Sequence, residues 1–147
     1  MKKRFFVILI IVFGLIFFTP VSLTDSMENS RVDYIVYNAN FGSDEADIEA
    51  MKFLTPSDYD EAEVLKCLSR YKEYRTIFRA SDFFLNDMEL EISLTVNGES
   101  KTILLGNINY MTKAYGAPKH GIYNADALRN ELLDILNLSD IEVKSSK

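Results

Sequence analysis

Apolar and polar positions divide the chain into one unbroken apolar run and a longer stretch that alternates at the periods of strands and helices. Phe5 to Phe18 is fourteen residues without a polar side chain, preceded by Lys2-Lys3-Arg4 and followed by Thr19-Pro20-Val21-Ser22-Leu23-Thr24. A charged segment, an apolar segment and a polar flank are the parts of an export signal. Counted through Leu23 the run reaches nineteen residues, close to the roughly 20 that span a bilayer core. The nearest match to a small-residue cleavage pattern is Ser22-Leu23-Thr24, a poor one. Residues 1–24 are therefore expected to be a signal peptide or membrane anchor, meeting the membrane through residues 5–23, with the anchor preferred. The three cations hold the N-terminus on the cytoplasmic side. The rest then faces outside the cytoplasm, and is secreted if the leader is cleaved.

Beyond a polar tether at 25–31, Val32-Asp33-Tyr34-Ile35-Val36-Tyr37 has the β-branched and aromatic content of a strand. Met51 to Thr55 predicts a second, short one. Thr55-Pro56-Ser57-Asp58 supplies capping residues, and Leu65, Leu68 and Tyr71 recur at helical spacing, which predicts a helix over 57–72. Glu89 to Val96 alternates cleanly, Leu90, Ile92, Leu94 and Val96 forming one apolar face. Asn97-Gly98 then signals a tight hairpin, because both central positions of a type I′ turn need positive φ. Lys101 to Leu105 is the return strand, with further short strands at Ile108–Thr112 and Gly121–Tyr123. Asn124 or Asp126 caps a last helix whose apolar face is Ala127, Leu128, Leu132, Ile135 and Leu136.

This order predicts an α+β fold: a two-layer domain at 32–138 with a mainly antiparallel sheet and two helices on one face. The other face is expected to expose Glu89, Glu91, Ser93 and Thr95. Residues 139–147 form a polar tail.

Charge sharpens the picture. Of the 16 basic residues Lys2, Lys3 and Arg4 precede the apolar run, whereas all 22 acidic residues follow it; thereafter 13 basic residues face 22 acidic ones, a balance of −9. So acidic a surface repels phosphate backbones, so no nucleic-acid partner is expected. Cys67 is the single cysteine and has no partner for an intramolecular disulfide. Its apolar neighbours read as a buried small side chain rather than a reactive thiol.

Candidate chemistry is thin. His120 is the sole histidine; it sits in the glycine- and proline-rich segment 115–121, without the ligands a zinc site needs. The acidic clusters Asp44, Glu45, Asp47, Glu49 and Asp58, Asp60, Glu61, Glu63 lack the spacing and glycine of a calcium loop. Neither a cofactor, a metal nor a catalytic residue is expected, and an enzyme is disfavoured. Two surfaces remain as candidates. Tyr71, Tyr74, Arg75, Phe78, Phe83 and Phe84 make an aromatic and basic segment suited to a protein partner in the cell envelope, since Tyr, Phe and Arg are enriched in interfaces. Tyr110, Tyr115, His120 and Tyr123 could line a ligand loop.

The capped segment at Ser57-Asp58, the Leu90–Val96 strand with its Asn97-Gly98 turn, and the Tyr123-Asn124-Ala125 junction resemble small domains of unknown function on exported proteins and lipoproteins of Gram-positive bacteria. The likeness covers most of the domain and implies no activity or site residue; unlike the lipoproteins, the chain lacks a lipid-accepting cysteine. The expected function is a membrane-anchored binding or interaction module outside the cytoplasm, with a small ligand-sensing or inhibitory domain as the alternative.

Overall fold

The computed structural model describes residues 2–24, 29–43, 48–79, 87–113 and 117–138; the side chains at 2–4, 16–18 and 77–79 fall outside that description. The fold is α+β, dominated by an antiparallel, curled sheet of eight strands with three helices. In chain order the elements are α1 (Lys2–Phe18), β1 (Val21–Ser22), β2 (Ser30–Asn38), a 3-10 turn (Ile48–Ala50) and β3 (Met51–Leu54). They continue as α2 (Glu61–Ser69), β4 (Lys72–Arg79), β5 (Met88–Val96), β6 (Glu99–Gly106), β7 (Tyr110–Thr112), β8 (Pro118–Ile122) and α3 (Ala125–Ile135). The strand order is β1-β4-β8-β7-β6-β5-β2-β3, so β1 and β3 are the edges.

Residues opposite one another on paired strands share a face, and the register builds two continuous rows across seven strands. One row is Arg75, His120, Met111, Ile103, Ile92, Ile35 and Leu54. Its apolar members join Val64, Leu65, Cys67 and Leu68 of α2 and Leu128 and Leu132 of α3 in the main core. The second row is Tyr74, Gly121, Tyr110, Leu104, Glu91, Val36 and Phe53. Val36, Leu104 and Tyr110 of that row form a smaller buried cluster with Met88.

That second cluster corrects the expectation of a wet outer face. Ser93 is buried, and Glu91 is half-buried where the Tyr34 hydroxyl donates to it at 3.1 Å. Glu89 is not on that face. A register shift between Met88 and Leu90 leaves it unpaired, and it meets Arg129 of α3 at 3.4 Å. A bulge of this kind bends the strand and re-aims one side chain.

The local chemistry explains the other differences. The helix expected over 57–72 is shorter, because Asp58 accepts from the Thr55 amide at 2.7 Å and closes a turn there. Asp60 caps the helix instead, accepting from the Ala62 and Glu63 amides at 3.0 and 3.2 Å. At its far end the chain does not run on helically: Lys72 begins a strand, and Tyr71, assigned from sequence to the helix, lies between the two. The domain also begins earlier than residue 32. Ser30 opens β2, Val21-Ser22 pairs with β4, and Leu23 is 0 % exposed within the main core. The apolar run counted through Leu23 is therefore divided between a helix that stops at Phe18 and a strand three residues later.

Candidate functional site

The two candidate surfaces fall on neighbouring strands. β4 carries Tyr74 and Arg75, β8 carries His120, β7 carries Tyr110, and Tyr123 follows β8 directly. Phe83, Phe84 and Tyr115 lie outside the described residues, and of Phe78 only the backbone position in β4 is described. Tyr71 is set apart on the α2–β4 connection, where its hydroxyl donates to Glu131 at 3.0 Å. Burial, and then Glu131, push that phenol up to about 12. Glu131 also takes the Arg70 guanidinium.

The outer face of this sector is aromatic. Tyr74 lies across Gly121 and stacks at a tilt on Tyr123, with ring centroids 4.8 Å apart and planes at 52°, within the range for favourable aromatic pairs. Tyr110 comes next, with the Lys119 ammonium 5.3 Å from its ring centroid. Burial raises the Tyr110 phenol above its ordinary value.

The inner face is charged. His120 Nδ1 stands 3.4 Å from Glu73 Oε2, an ion pair when the imidazole is protonated. Glu73 is itself buried. Beside His120 a cavity of about 130 Å³ is lined by Lys101, Met111, Thr112, Lys113, Ala117 and Pro118. Arg75, opposite His120 in register, instead faces an open groove shared with Leu15, Thr19 and Val21. A second groove, lined by Pro20, Arg70, Tyr71, Lys72, Tyr123 and Asn124, lies at the other end of β1.

Sequence reasoning missed Lys101, Lys113 and Lys119. Only the alternation of strand directions brings them to one end of the sheet beside Arg75. Cys67 is buried, and desolvation pushes its thiol up to about 12. A thiol so shifted has almost no thiolate at neutral pH. Among the described residues no group of three His, Cys, Asp or Glu side chains could hold a metal ion. Comparison with family models, curated proteins and solved structures returns no match.

Among the described residues no helix is long and apolar enough to cross a membrane by the usual measure, α1 stopping at 17 residues. Its described side chains are nevertheless apolar on every side, and from Phe5 to Phe13 they are 47–71 % exposed.

Proposed function

We propose that the chain is an extracytoplasmic interaction module held at the membrane by α1, its domain forming a helical layer over one sheet face. The observation that carries this reading is the stretch of α1 from Phe5 to Phe13, apolar on every side and 47–71 % exposed. An amphipathic helix would rest in the interface plane; one without a polar face belongs inside a protein or in lipid.

Magnitudes favour lipid despite the short length. Thirteen Phe, Leu, Ile and Val residues lie between Phe5 and Phe18, which on an insertion scale contribute about −4 to −8 kcal/mol. Fourteen residues rise about 21 Å against a core of about 30 Å. That mismatch costs a few kcal/mol, met by local thinning of the bilayer. Retention of α1 follows from Leu23, since a cut after residue 24 would remove a fully buried core side chain. A non-enzymatic role is supported by the use of Cys67 in the core and of His120 against Glu73. The cavity beside His120, about 130 Å³, is well below the roughly 300–1,000 Å³ of ordinary ligand pockets, and the grooves of about 380 and 420 Å³ beside β1 are open to solvent, a shape that favours an interaction surface over a ligand sensor.

The test is membrane fractionation of the full chain followed by alkaline extraction, with the mass of the product. The expected product stays with the membrane and retains α1. Intact chain in the soluble fraction would refute the reading.

A further inference from the structure

We infer that the sheet end next to α1, carrying Arg75, Lys101, Lys113 and Lys119, docks on the anionic lipid headgroups of the bilayer that holds the helix. This rests on α1 being in that bilayer.

Chain geometry brings the sheet to the headgroups. Only Thr19 and Pro20 separate Phe18 from Val21, a reach of about 10 Å at most. The headgroup layer is itself roughly 5–8 Å thick on each side. The first strand of the domain therefore starts within or at the edge of that layer, with no tether to hold it off.

Strand directions decide which end of the sheet is there. Val21 pairs with Glu73 and Ser22 with Lys72, so the backbone traced back towards α1 runs along β4 towards its C-terminal end, and the groove shared by Leu15, Thr19, Val21 and Arg75 lies there. Antiparallel pairing places at that same end the start of β8, the end of β7 and the start of β6. The exposed or half-buried cations described in this sector are Arg75, Lys101, Lys113 and Lys119, Arg79 is at the same end by register, and the acids beside them are Glu99 and Glu73, the latter buried against His120. Glu99 is already engaged by Lys113. In a domain whose net charge is −9, such a cluster next to the membrane helix is a local reversal of sign.

The acids at this end lie elsewhere on the sheet. Asp58, Asp60, Glu61 and Glu63 cluster at the start of α2, where Glu61 accepts from the Val32 amide of β2 at 2.8 Å. β2 is five strands away from β4, about 24 Å along the sheet. An anionic surface thus attracts the side next to α1 and repels the side beyond, which orients the domain. The cavity beside His120 adds an apolar floor beneath Lys101 and Lys113, a shape that admits part of a headgroup between two ammonium groups.

The full chain is reconstituted in nanodiscs of phosphatidylglycerol or phosphatidylcholine doped with a headgroup-nitroxide lipid, and backbone amide NMR broadening is read. Amides at Arg75, Lys101, Lys113 and Lys119 are expected to broaden in phosphatidylglycerol at low salt. High salt should relieve the broadening, as screening requires, and Asn38, Asp87 and Asn107 at the opposite end should stay sharp. Each cation near such a surface is worth about 5-fold in the docking equilibrium, so R75Q/K101Q should weaken it by about 25-fold and R75K/K101R should preserve it. An inserted chain that shows no broadening at these amides, or the same broadening in both lipids and in R75Q/K101Q, would overturn docking and leave the anchor standing. A chain that does not enter the nanodisc, with a folded domain seen by NMR, would overturn both.

Discussion

Tyr74 occupies the space that a side chain on Gly121 would need: a Cβ there would lie 2.6 Å from Tyr74 Cε1, and nearer still to Cζ and the hydroxyl oxygen. The phenol end of the tyrosine thus packs directly on the backbone of the neighbouring strand, close to Tyr123. Gly121→Ala should push the ring aside and cost about 1–3 kcal/mol in urea denaturation. Gly106→Ala should cost more, because the added carbon would meet backbone, 2.9 Å from the Glu89 nitrogen and closer to the Asp87 oxygen. A backbone cannot rotate out of the way as a ring can. Equal costs at the two sites would contradict this packing.

His120 carries a structural consequence for Glu73. With the imidazole removed, the buried Glu73 side chain loses the polar group 3.4 Å from its Oε2, and leaving a buried polar group without a partner costs about 1–3 kcal/mol. His120→Ala should therefore lower stability by about that amount in urea denaturation. Glu73→Met/His120→Ala should recover much of the loss, since no polar side chain is then left buried there. A double variant no more stable than His120→Ala would refute the coupling.

Much of this sector was hidden in the sequence for an identifiable reason. The β5–β6 hairpin was legible because Leu90 to Val96 alternates and Asn97-Gly98 meets a local requirement, with φ of 51° and 79°. The last helix was legible from Leu128 and Leu132, both buried, although Ala127 of the expected face is exposed with Ala125 buried in its place, and the expected cap Asn124 takes a left-handed conformation and makes no side-chain cap bond. β1 has two residues and no period to detect. β4 continues the helical spacing of Leu65, Leu68 and Tyr71, so the switch at Lys72 was masked. The bulges that turn Glu89 towards Arg129 depend on pairing between strands distant in sequence, which no local pattern encodes. The cationic sheet end is likewise a product of topology.

Cys67 should resist alkylation in the folded chain. Burial pushes its thiol up to about 12, and the thiolate is the reacting species. Iodoacetamide at neutral pH should modify it only at the rate of unfolding, and rapidly in urea. Prompt modification without denaturant would show that the α2 face is open. Cys67→Ser should cost about 1–3 kcal/mol, because it buries a hydroxyl in an apolar site.

Glu89 predicts a pH dependence with a definite sign. Burial raises its pKa above the ordinary carboxylate value, with Arg129 partly opposing the shift. The folded state then holds the proton more tightly than the unfolded state. Its contribution is full below the unfolded value and declines as pH rises through the raised folded value. Relative to wild type, Glu89→Gln should therefore gain stability as pH rises from about 4 to about 7. Urea midpoints across that range provide the check, and a relative loss on raising pH would reverse the assignment.

Leu23 decides where the apolar N-terminal helix ends and the packed sheet domain begins. It follows an apolar helix closely, yet it is 0 % exposed among core residues that include Leu68 and Leu132. Its backbone amide also donates to the Tyr71 carbonyl at 3.2 Å. A leucine lying in lipid would be indifferent to truncation in a folding measurement. One in a protein core leaves a cavity and costs about 2–5 kcal/mol. Leu23→Ala in the full chain, held in detergent micelles and unfolded with urea, should show the larger value, whereas Leu15→Ala on α1, 63 % exposed, should change little. A neutral Leu23→Ala would place the residue with the apolar leader instead of the core, and would remove the core cost that argues against a cut after residue 24.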